Sequence, residues 1–78
     1  MEDNVITLSD AIKHNPMTTF RLTYKRMRYN CKYDRKQGHF YSYVGKKAIV
    51  MKPNMVSEVK IYSQSQYNGY KVNIDEVE

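Results

Sequence analysis

Phe20-Arg21-Leu22-Thr23-Tyr24-Lys25-Arg26-Met27-Arg28-Tyr29-Asn30-Cys31-Lys32-Tyr33 is the stretch on which the fold of this chain turns. Phe20, Leu22 and Tyr24 alternate with Arg21, Thr23 and Lys25, the period-2 pattern of a strand with one face against an apolar core. After Arg26 the alternation resumes one step out of phase, with Met27, Tyr29, Cys31 and Tyr33 set against Arg28, Asn30 and Lys32. A β-bulge or a tight turn produces such a slip. No Gly, Pro, Asn or Asp stands there to make a turn, so the sequence favours one bulged or bent strand.

Working outward, Ser9 is placed to cap a short helix over 10–14, with Asp10 near the positive end of the helix dipole and Pro16 as the stop. So short a helix needs docking, for which Val5, Ile6, Leu8 and Ile12 are available. On the C-terminal side, 34–38 is a turn by composition, 39–44 an aromatic strand, 45–47 a second turn and 48–51 a short apolar strand ended by Pro53-Asn54. Segments 57–67 and 70–77 flank Asn68-Gly69, a strong hairpin signal that would set Tyr67 opposite Tyr70, Ser65 opposite Val72 and Ser63 opposite Ile74. The expected fold is mostly β, a small α+β chain: one short N-terminal helix and about five antiparallel strands in a curled meander sheet or small open barrel. Residues 1–78 are expected to form a single domain.

A domain of 78 residues has little room for both a core and a deep dry cavity, which argues against an enzyme. The single cysteine, Cys31, excludes an intrachain disulfide. The N-terminus lacks the pattern of a signal peptide, and the longest apolar run, 48–51, is far short of a membrane span; a cytoplasmic location without membrane contact is the expectation. Cys31, His14 and His39 match no zinc spacing, so neither a metal nor a cofactor is expected. A Cys31–His39 nucleophilic pair across a hairpin lacks a third group to orient it. On the apolar phase of its strand, Cys31 reads as a buried thiol.

Charge carries the functional signal. The net charge is +5, and nine of the 13 Lys and Arg residues fall within 21–47, against Asp34 alone. A basic segment between mildly acidic ends is an electrostatic footprint for a polyanion. Alternation sends Arg26, Arg28 and Lys32 to one face of their strand, repeating at about 7 Å, near the phosphate spacing of an extended single strand. Arg21 precedes this row, and Arg35, Lys36, Lys46 and Lys47 in two turns would extend it. Five of the eight tyrosines lie within 24–43. Tyr29 and Tyr33 fall on the core phase, which leaves His39, Tyr41 and Tyr43 as an outward strip able to stack on bases. The competing physical reading is a solvated sheet face whose lysines guard against aggregation, with tyrosines filling the core of a chain without Trp.

The sequence therefore points to a small non-enzymatic binding protein whose basic β-surface contacts nucleic acid, single-stranded or RNA favoured. Its alternative is a small phage-type regulator or inhibitor that binds an acidic surface of a host protein, since Arg and Tyr also anchor protein interfaces. The hairpin over 59–74 would leave an edge strand able to pair with a second copy as a homodimer.

Overall fold

The structure, a computed structural model, describes residues 4–63 and 65–74. Its elements are β1 (Val5–Thr7), α1 (Leu8–His14), β2 (Phe20–Tyr24), β3 (Met27–Asp34), β4 (His39–Val44), β5 (Lys47–Met51), a 3-10 turn (Pro53–Met55), β6 (Val56–Ile61) and β7 (Lys71–Asn73). The strands form one open sheet in the order β1-β7-β6-β2-β3-β4-β5, parallel only between β1 and β7. The mostly-β fold with one short helix is as expected, but the described residues form seven strands where the sequence predicts about five, and the order, with β6 beside β2 and β1 parallel to β7, is not a simple antiparallel meander.

The deciding stretch is a hairpin and not a bulged strand. Lys25 and Arg26 both take positive φ, 50° and 67°, and form a two-residue turn. Tyr24 and Met27 become cross-strand partners, as do Leu22 and Tyr29, and Phe20 and Cys31. Residues flanking a two-residue loop share a face although they are three apart in sequence, and this accounts for the phase slip. Turns of this kind ordinarily use Asn-Gly, because a left-handed conformation costs a side-chain-bearing residue about 1–2 kcal/mol. The double substitution Lys25→Asn, Arg26→Gly is accordingly expected to stabilise the fold by about 1–2 kcal/mol, measured as a higher urea midpoint at unchanged slope. A bulge does exist, but in β6. Register against β2 shifts between Arg21 and Thr23, and Glu58 takes a φ of 52° there.

Four further expectations are corrected. The helix is capped by Thr7, whose Oγ1 accepts from the Asp10 amide at 3.1 Å, two residues before the expected Ser9 cap. Residues 5–7, too short to show alternation, form β1 beside β7. The 57–67/70–77 hairpin is not paired about Asn68-Gly69. Lys60 pairs with Lys71, and the nine residues 62–70 connect β6 to β7, with Gly69 at a φ of 87°. Residues 63–66 offer no large apolar side chain to bury, and the Tyr62 amide bonds to the Thr19 carbonyl instead. Tyr67 and Tyr70 still meet edge-on at 5.2 Å, while His14 packs on Tyr67 at 4.7 Å. The C-terminal part of that predicted strand, 75–77, lies outside the described residues. Finally, the hairpin over 59–74 leaves no edge, because β6 is flanked by β2 and β7, and β7 by β1; the edges are β1 and β5.

The sheet curls because its connections demand it. The end of β5 lies level with Tyr33 and the start of β6 level with Met27, four strands apart in the order. In a flat sheet those points would be about 27 Å apart. Residues 52–55, three of them in 3-10 conformation, reach only about 14 Å. Curling also brings Phe20 of β2 onto Phe40 of β4, their rings 5.5 Å apart although β3 runs between them. The concave face holds the core: Phe20, Leu22, Cys31, Tyr33, Phe40, Met51, Val59, Ile61 and Val72, closed by Leu8, Ala11 and Ile12 of α1.

Candidate polyanion-binding face

The convex face is built by the same alternation. Every core residue on β2, β3, β4 and β6 has a neighbour pointing the other way, and antiparallel register sets those neighbours side by side. Lys71 of β7 is opposite Lys60 of β6, Lys60 is opposite Arg21 of β2, and Arg21 is opposite Asn30 of β3. Arg28 and Lys32 lie two residues either side of Asn30, and Lys32 faces Tyr41 of β4. A cationic row thus crosses the sheet perpendicular to its strands and ends on tyrosine.

The row is electrostatically unfavourable by itself. Like charges directly opposite one another cost roughly 0.2–1 kcal/mol relative to neutral pairs. Arg21, Arg28, Lys32 and Lys60 form no ion pair among the described residues. Two carboxylates lie on this side, and Glu58 borders a hollow of about 180 Å³ together with Arg21, Arg28 and Lys60. Asp34 accepts from the Lys36 and Gln37 amides at 3.0 and 3.2 Å and shapes the β3–β4 turn. Glu58, re-aimed by the bulge, accepts from the Thr23 hydroxyl at 3.4 Å.

Two of the cations are held in place. The Arg21 guanidinium lies over the Tyr62 ring, 4.0 Å from its centroid, and its Nε donates to Asn30 Oδ1 at 3.2 Å. Lys32 Nζ donates to the Met17 carbonyl at 3.1 Å and to Thr19 Oγ1 at 3.3 Å. Beside it lies a groove of about 450 Å³ bordered by Met17, Thr19, Asn30, Lys32, Tyr41 and Tyr43.

Of the residues singled out from sequence, Arg21, Arg28, Lys32, Tyr41 and Tyr43 come together on this face. Arg26 does not join the strand row, because it sits in the β2–β3 turn. Arg35 and Lys36 occupy the β3–β4 turn at the far end of β3, and Lys46 the β4–β5 turn. Lys47 pairs with Val44 on the opposite face of β4–β5 from Tyr41 and Tyr43. His39 shares the Tyr41 phase but is half-buried, its Nδ1 enclosed without a hydrogen-bond partner, so it offers little open ring surface. Lys60, Tyr62 and Lys71 were not legible as site residues from charge clustering. Their signal was the alternation of Lys60 and Tyr62 with Val59 and Ile61, which becomes informative only once β6 is known to lie beside β2.

Cys31 faces the core at 3% exposure, away from His39, and burial pushes its thiol up to about 12. Its thiolate is scarce near neutral pH, the reverse of an activated nucleophile. Among the described residues no three His, Cys, Asp or Glu side chains converge as metal ligands, and no helix is long and apolar enough to cross a membrane. No family model matches the chain, no curated protein matches its sequence, and no solved structure matches its fold.

Proposed function

We infer that this protein binds nucleic acid through the convex face of its sheet. The observation that carries this reading is the row Lys60–Arg21 with Arg28 and Lys32 beside it: cations in cross-strand register, Arg21 and Lys32 held by neutral partners, and none of the four in an ion pair among the described residues. Repulsion within such a row is relieved by a polyanion, and each phosphate neutralised releases counterions from the nucleic acid. The fold supports the row as a rigid template, since Arg21, Lys32 and Lys60 each project from a strand whose neighbouring residues are core.

The test is the salt dependence of binding. With about four phosphate contacts, log Kd should change with log salt at a slope of about 3. Fluorescence anisotropy of a labelled oligonucleotide over a salt series measures it. A slope near zero, or no binding at low salt, would instead favour the second reading, a regulator whose Arg21, Tyr62 and Tyr43 anchor an acidic protein surface.

A further inference from the structure

We propose that the groove between Met17 and the tyrosines of β4 receives an unpaired base, which makes single-stranded nucleic acid, and not duplex, the ligand of the cationic row. This deepens the nucleic-acid reading and rests on it.

Three features of the groove converge. First, its walls keep apolar surface in water: Met17 is 61% exposed and Tyr43 67% exposed. Tyr41 and Tyr43 meet edge-on at 6.1 Å, so two ring faces at different orientations line one wall. A base has a flat apolar face of matching kind, and stacking on tyrosine is a sequence-tolerant source of affinity. Second, an ammonium stands at the rim in a fixed position. Lys32 carries three N–H donors, of which the Met17 carbonyl and Thr19 hydroxyl take two. The third is available to a phosphate next to the inserted base. Third, the groove continues the row. Lys32 is the register partner of Tyr41, and Asn30, at the end of the Lys60–Arg21 line, borders the same groove.

Charge complementarity selects the occupant. A neutral apolar segment would leave the surrounding cations unsatisfied, whereas a nucleotide brings the base and its phosphate together. From β6 to β4 the path crosses about 14 Å, room for two or three nucleotides of an extended strand. In a duplex the bases are stacked and paired, so the row would still meet phosphates but the groove would remain unused.

The experiment compares three ligands for the wild-type chain: an oligothymidylate of about ten nucleotides, an abasic strand with the same number of phosphates, and a duplex of the same length. The wild-type protein is expected to bind oligothymidylate about ten-fold more tightly than the abasic strand. Tyr43→Ala should bring that ratio close to one while leaving the salt slope unchanged, and Tyr43→Phe should keep it. Because Tyr43 is largely exposed, both variants are expected to melt like wild type, and circular dichroism checks this. Equal affinity for oligothymidylate and abasic strand, or a ratio that survives Tyr43→Ala, overturns the base site while the charge-based reading stands. Failure of all three ligands to bind overturns both, and a partner that survives nuclease treatment would then assign the face to an acidic protein.

Discussion

Phe40→Ala is expected to leave the chain without a cooperative unfolding transition, or with one at a much lower urea midpoint. Phe40 is fully buried, and its ring meets Tyr33 at 5.0 Å and Phe20 at 5.5 Å. Register sets it opposite Met51, also fully buried. It therefore ties β2, β3, β4 and β5 together across the concave face. Truncating a buried Phe costs about 3–5 kcal/mol in transfer and cavity terms. A chain of this length has roughly 4–12 kcal/mol in total, and small domains sit toward the lower end. One substitution thus removes between a quarter and all of the stability. Far-UV circular dichroism against urea would show it, with Val44→Ala as control, since Val44 is 57% exposed and such a surface change is usually within about 0.5 kcal/mol. A Phe40→Ala protein within about 1 kcal/mol of wild type would mean that the curl is held elsewhere.

Phe40 also shows what was readable in advance. Its phase within His39-Phe40-Tyr41-Ser42-Tyr43-Val44 assigned it to the core, and the same alternation separated Tyr29, Cys31 and Tyr33 from Arg28, Asn30 and Lys32. Both assignments depend only on residues two apart and so survive any error in topology. Lys25-Arg26 failed for a different reason. A two-residue hairpin normally announces itself through residues that tolerate positive φ, and here the tertiary pairing of Phe20 with Cys31 and Leu22 with Tyr29 overrides that local preference. Asn68-Gly69 erred in the opposite direction. Its turn chemistry was right, with Gly69 left-handed, but register is set by which residues find apolar neighbours, and Ser63 and Ser65 have no hydrophobic reason to pair.

The candidate site divides along the same line. The cations on β3 and the tyrosines on β4 are close in sequence and came together as their phase required. Lys60 is 39 positions from Arg21, its register partner, and the bulge at Glu58 sets that pairing. A long-range pairing between strands with a bulge leaves no local trace. Charge clustering along the chain consequently groups Arg35, Lys36 and Lys47 with the row, although the fold places them in a turn or on the other face, and leaves out Lys60, which the fold sets beside Arg21.

That distinction separates a face from mere net charge, and the triple substitution Arg21→Gln, Arg28→Gln, Lys60→Gln tests it. Each phosphate contact on a single strand contributes about 0.7 to the salt slope, so removing three is expected to lower the slope by about 2. Near 0.1 M salt the same arithmetic gives an affinity loss of about 100-fold. The matched control, Arg35→Gln, Lys36→Gln, Lys47→Gln, removes the same formal charge from positions off the row and is expected to change affinity only a few-fold through the longer-range field, which a Debye length of about 10 Å attenuates. Stability supplies an independent sign. Neutralising Arg21 and Lys60 removes a like-charge register pair, a gain of about 0.2–1 kcal/mol, against the loss of the Arg21–Tyr62 contact, about 0.5–1 kcal/mol at an exposed site. The two nearly cancel, so the variant should unfold at a urea midpoint close to wild type while binding is lost. If the cations were there to hold the sheet together, loss of binding would be accompanied by a clear fall in stability. If only net charge mattered, the two triple variants would bind alike.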